Sequence, residues 1–142
     1  MMANPTLAAA ALLVAVFLVQ PATAQEMTAE QKQICAEAQA RYKDLFGKLP
    51  SEEKVTVVLM YNMTFCPLRL QVKAGTTVRW VNVDKRTSHS VWFKDDGRPE
   101  SDRKFPEEAL EMPIDLPPGE HIYWCGPHGE RENMRATITV VP

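Results

Sequence analysis

The sequence predicts an all-β fold, a β-sandwich of Greek-key type with one helix added at its N-terminal edge. Three observations carry this prediction. From Val55 onward apolar residues recur with period two rather than with a helical period. The alternating runs are short, are separated by Pro and Gly turns, and have no helical segments between them of the kind a parallel α/β architecture requires. Only residues 28–46 combine helical periodicity with start and stop signals.

Taken in order, residues 1–24 read as an export signal: Leu7 to Val19 is apolar and uncharged, and Ala22-Thr23-Ala24 is a small-residue cleavage pattern. The stretch before it lacks Lys and Arg, and a retained membrane anchor is the alternative. Cleavage after Ala24 would leave a helical extension over 25–50 and a domain over 51–142, delivered to the periplasm with no membrane insertion. Within the extension, Thr28 and Gln31 form a capping box, Glu37 and Arg41 are spaced as an i,i+4 pair, and Gly47 and Pro50 close the helix. Ile34, Ala38, Tyr42 and Leu45 fall on one stripe, expected to dock on a sheet.

Strands are expected over 55–65, 68–72, 76–83, 90–93, 122–124 and 135–141, with Ala136, Ile138 and Val140 of the last facing one way. Ala74-Gly75 is a turn. Residues 94–108 are polar and read as a turn and solvated loop.

Sixteen basic against eighteen acidic residues give a formal net charge of -2, which offers no global attraction to nucleic acid or an anionic membrane. Three cysteines cannot all pair within one chain. A Cys35–Cys66 disulfide leaving Cys125 as a lone thiolate is the economical solution in an oxidising compartment; Cys35 and Cys66 as buried free thiols remain the alternative.

The chemistry concentrates in Tyr123-Trp124-Cys125-Gly126-Pro127-His128-Gly129-Glu130-Arg131-Glu132-Asn133-Met134. One thiolate, one imidazole and one thioether in a single loop, with His89 upstream, supply the ligands of a copper electron-transfer site: two His and a Cys in a plane, with a weak axial Met. Such a set tolerates both copper oxidation states with little rearrangement. A nucleophile–base reading of Cys125 and His128 lacks a third orienting group. A closed zinc site lacks a paired Cys-x-x-Cys, and His121 lies too far along its strand from Cys125 to join the set. Met60, Met63 and Met112 read as packing residues.

Phe65-Cys66-Pro67, Val72-Lys73-Ala74-Gly75, Val78-Arg79-Trp80-Val81-Asn82-Val83-Asp84, Ser88-His89-Ser90-Val91, Leu116-Pro117-Pro118-Gly119 and the Cys125 loop together resemble the cupredoxins, within them the plastocyanin, pseudoazurin and amicyanin group of blue copper proteins. The likeness covers roughly residues 55–142 and leaves out the helix. It implies that His89, Cys125 and His128 ligate one copper ion cycling between Cu(I) and Cu(II), with Met134 axial. It also implies that redox donors and acceptors dock near His128, where Gly126 and Pro127 border the imidazole edge. Ser90 stands where the family often has Asn, and its hydroxyl either braces the ligand loop or faces solvent. Five residues separate His128 from Met134 where four are commonest in the group, and Glu130, a backbone oxygen or water are competing axial donors. The expected function is an exported, monomeric one-electron carrier and no enzyme; the alternative is copper binding, delivery or tolerance through the same site.

Overall fold

Helix α1 spans Ala29–Phe46, in a computed structural model that describes residues 26–142. The export signal predicted over 1–24 lies outside the described residues. Thr28 caps the helix as its sequence requires: the Thr28 hydroxyl accepts from the Gln31 N–H at 3.1 Å, and Gln31 Oε1 accepts from the Thr28 N–H at 2.9 Å. Gly47 ends it at φ 78°, a left-handed conformation that costs a glycine little. The buried face is Cys35, Ala38 and Tyr42; Ile34 is half-buried and Leu45, expected on the same stripe, is exposed. The expected Glu37–Arg41 pair does not form. Glu37 accepts instead from Gln33, while Arg41 turns inward and donates from Nε to the Val83 carbonyl at 2.5 Å.

The expected strand over 55–65 is a hairpin, β1 (Thr56–Tyr61) and β2 (Thr64–Cys66), because Asn62 and Met63 both adopt positive φ, 44° and 54°, and reverse the chain. Strands β3 (Arg69–Lys73), β4 (Thr77–Asn82), β5 (Ala109–Pro113), β6 (Gly119–Trp124) and β7 (Arg135–Val141) complete two sheets, ordered β2-β1-β4-β5 and β3-β7-β6. Strands β1 and β4 run parallel, as do β3 and β7; the other pairs are antiparallel. Strand β5 was not expected: it alternates half-buried Leu110 and Met112 with exposed neighbours and stops at Pro113, as an edge strand can. Residues 90–93 form no strand of their own. The segment is tied down by single bridges, His89 to Lys104 and Trp92 to Trp124.

Alternation along β1 and β4 gives that sheet two buried faces. Val58, Met60, Val78 and Trp80 point into the sandwich, against Phe65, Phe93, Tyr123 and Ile138. Leu59, Val81 and Val83 point outward and are covered by Cys35, Ala38 and Tyr42 of α1. Cys35 and Cys66 are joined in a disulfide, with Cα atoms 5.4 Å apart, so the helix is also held covalently to β2. Cys125 is the free cysteine among the described residues.

Candidate metal centre

Cys125 follows the last residue of β6, and its loop is closed at the base by a hydrogen bond from its N–H to the Met134 carbonyl at 3.0 Å. Between them the chain makes one helical turn, α2 (Gly129–Glu132), started by the Gly129 N–H donating to the Cys125 carbonyl at 2.6 Å. Asn133, at φ 54°, then reverses the direction, a conformation Asn tolerates better than most residues. The extra residue between His128 and Met134 is thus wound into a helical turn, which returns Met134 to the first residue of the loop. Met134 is fully buried, whereas the Glu130 side chain is 86% exposed and approaches Lys94 at 3.7 Å.

His89 comes from the other side, on the crossing between β4 and β5. The donor atoms of His89, Cys125 and His128 all lie within 4.8 Å of one another. Cys125 Sγ is 3.7 Å from His89 Nδ1 and 3.4 Å from His128 Nδ1. A metal about 2.0 Å from nitrogen and about 2.3 Å from sulfur, in a plane with equal angles, needs nitrogen–sulfur separations of roughly 3.7 Å. Both nitrogen–sulfur separations are close to that value, and a soft thiolate with two imidazoles is a donor set suited to copper. His89 and Cys125 are fully buried; His128, Gly126 and Pro127 are half-buried, so the site meets the surface on the His128 side.

Each donor is braced by a second set of contacts. Asp84 Oδ2 lies 2.6 Å from His89 Nε2 and also accepts the Asn62 N–H at 3.1 Å. A carboxylate on Nε2 holds that nitrogen protonated and leaves Nδ1 bare toward the cluster. Buried Asn82 donates from Nδ2 to the carbonyls of Thr87 and Lys104, at 2.7 and 2.8 Å, clasping the segment before His89 to the Lys104 segment bridged with it. The Ser90 N–H points at Cys125 Sγ at 3.5 Å. The Ser90 hydroxyl accepts from the Gly126 N–H at 2.8 Å and donates to Glu100 Oε1 at 2.6 Å, so it braces the ligand loop. A Cβ on residue 126 would meet the Glu100 carboxylate and push that side chain off the Ser90 hydroxyl.

Electrostatics separate the two imidazoles. Burial disfavours a charged His89, but the Asp84 hydrogen bond and the adjacent Cys125 outweigh it and raise its pKa; surroundings that attract a proton also attract a metal cation. Burial and the neighbouring His89 push the His128 pKa down, toward the neutral form that ligation needs.

His121 lies apart, with Nδ1 2.8 Å from Asp96 Oδ1 and Nε2 2.8 Å from the Pro117 carbonyl. The bracing roles of Asp84, Asn82 and Glu100 were not read from the sequence. For Asp84 a signal existed, an acid at a strand end five residues before the His; for Glu100, in a run of charged loop residues, there was none.

The model of copper binding proteins of the plastocyanin/azurin family matches residues 52–141. Among solved structures, an oxidized variant of amicyanin is 26% identical with a TM-score of 0.56, over 63% of this chain and 85% of its own. Amicyanin from Paracoccus versutus (Thiobacillus versutus) is 26% identical with a TM-score of 0.54, over 62% of this chain and 82% of its own. A purple cupredoxin from Nitrosopumilus maritimus, 22% identical with a TM-score of 0.51 over 60% of this chain and 98% of its own, shares the fold. With two sheets, a convergent His–Cys–His cluster and a family match across more than half its length, the chain belongs to the plastocyanin/azurin family of copper-binding proteins, the cupredoxins.

Proposed function

We propose that His89, Cys125 and His128 hold one copper ion, with Met134 as the weak fourth donor, and that the protein carries single electrons between redox partners. The observation that carries this reading is that three donor atoms within 4.8 Å are already braced from behind by Asp84, Ser90 and the loop-closing hydrogen bonds. Copper bound there would supply a one-electron couple whose two states accept the same ligands. The chain's own part is to keep the donors from moving: Asp84 fixes the His89 ring, Ser90 ties the Cys125 loop to the His89 segment, and α2 returns Met134 to the base. The burial of Met134 and the outward turn of Glu130 favour the thioether as fourth donor.

The half-buried His128 edge, with Gly126 and Pro127 beside it, is where a redox partner approaches. In this reading the protein turns over no substrate. It is exported to the periplasm, cut after Ala24, and works as a monomer in which the extension over 25–50 is added to a copper domain over 51–142. The Cys35–Cys66 disulfide suits an oxidising compartment, and no helix among the described residues is long and apolar enough to cross a membrane.

Titration of the metal-free protein with Cu(II) tests the reading. One equivalent should bind with an intense visible thiolate-to-copper band, and voltammetry should be reversible. A colourless protein that retains only Cu(I) would overturn the carrier function and support copper delivery.

A further inference from the structure

An unassigned chain of contacts runs from α1 to His89. We propose that Arg41 is a positioning residue for the metal centre, so that the N-terminal helix holds a ligand in place as well as covering the sheet; the inference rests on the copper reading above.

The contacts converge on one peptide unit. The carbonyl of Val83 accepts from Arg41 Nε at 2.5 Å, and the N–H of Asp84, in the same peptide plane, donates to Asn82 Oδ1 at 2.9 Å. With both polar atoms held, the plane cannot rotate, and the direction in which the Asp84 side chain leaves the backbone is set. That side chain then meets His89 Nε2 at 2.6 Å. Val83 is fully buried and half-buried Arg41 supplies the side-chain donor to its carbonyl, so removing that donor leaves the carbonyl without its partner.

Arg41 also reaches the second support of Asp84. Its guanidinium lies 5.7 Å from the centroid of the Tyr61 ring, next in sequence to Asn62, whose N–H donates to Asp84 Oδ2. The Cys35–Cys66 disulfide, less than two turns earlier on α1, fixes the height and rotation of the helix and therefore where Arg41 arrives. His128 and Cys125 have no such link; Glu100 and Ser90 brace their loop from the opposite side.

Releasing Arg41 should let the Val83–Asp84 peptide turn and weaken the carboxylate's hold on His89 Nε2. Its Nδ1 then becomes a poorer donor, to Cu(II) more than to the softer Cu(I). The test compares R41Q, R41K and, as a control on the exposed side of the same helix, K43A. Three quantities are measured: Cu(II) affinity, reduction potential and, in metal-free protein, solvent exchange of the His89 Nε2–H by nitrogen-15 NMR.

R41Q should lose roughly three- to tenfold in Cu(II) affinity, less than the roughly 10- to 100-fold typical of removing a direct partner of a ligand. Its potential should rise and its ring N–H should exchange faster. R41K, which keeps the charge and a donor, should show smaller shifts of the same sign, and K43A none. Wild-type values in R41Q overturn the inference. So does an unfolded R41Q accompanied by wild-type values in R41K, because α1 would then serve stability alone. If the wild-type protein binds no copper, the copper reading falls, while the ring N–H of the metal-free variants still tests the Arg41–His89 link.

Discussion

The two faces of the β2-β1-β4-β5 sheet are held by different forces. Outward, Leu59, Val81 and Val83 meet α1 through apolar packing and one covalent bond, with the Arg41 hydrogen bond to the Val83 carbonyl as a directional contact among them. Toward the end of the sandwich that carries the His–Cys–His donor cluster, hydrogen bonds dominate: Asp84 to His89, Ser90 to Gly126 and Glu100, Cys125 to Met134. The difference follows from what each region must do. Apolar contacts hold layers together but set direction loosely, whereas a metal ligand must be aimed, and only directional contacts aim a ring nitrogen. The alternation of β1 and β4 lets one sheet serve both purposes.

Breaking each region separately should show the contrast. The largest effect is expected from C125S, which removes the thiolate and should abolish the visible copper band without unfolding the protein; a retained band would refute the ligand assignment. Converting Cys35 and Cys66 together to serine should do the opposite. In the chain-entropy account, a bridge between residues 31 apart contributes roughly 3–4 kcal/mol. Denaturant unfolding of the copper protein should register that loss while the band persists, and an unchanged midpoint would argue that packing alone retains α1.

Smaller effects sharpen the same contrast. His121 is 8% exposed; burial disfavours its charge, but the Pro117 carbonyl and Asp96 bonds prevail and raise its pKa. A raised folded-state value means that the His121 contribution to stability is fully present below the unfolded pKa of about 6.5 and is lost as pH rises through the folded value. In metal-free protein the stability difference between wild type and H121Q should therefore shrink toward alkaline pH, and a pH-independent difference would count against the ion pair. In the core, the Tyr123 hydroxyl and the Trp80 Nε1–H are buried beside each other, and neither makes a hydrogen bond of good geometry among the described residues. Y123F should be neutral or stabilising by up to about 1 kcal/mol, since it removes an unsatisfied buried group. A loss of more than about 1 kcal/mol on thermal unfolding would show that the hydroxyl has a partner.

What could be read from the sequence divides along physical lines. Cys125 and His128 are visible because three residues of spacing fix their proximity, and the capping box of α1 because it is local. The Asn62–Met63 turn escaped because Met is a poor marker of positive φ, so a hairpin passed for one strand. Strand β5 escaped because charged neighbours and Pro113 mask its alternation. Spacing pairs Arg41 with Glu37, but a surface ion pair is worth little and a buried carbonyl is a better partner. Asp84 and Glu100 escaped because the contacts that give them roles depend on how loops cross, which no pattern in one segment records. For Ser90 the sequence allows a brace or a solvent-facing residue, and the Gly126 and Glu100 contacts decide for the brace.

In the proposed function the chain holds its donors in one arrangement that serves both copper oxidation states. X-ray absorption at the copper edge, recorded on oxidised and reduced protein, tests it most directly. A pre-braced site predicts one short sulfur and two nitrogen neighbours in both states, with distances that change by no more than a few hundredths of an ångström. Loss of a nitrogen neighbour on reduction, or added oxygen neighbours on oxidation, would contradict it.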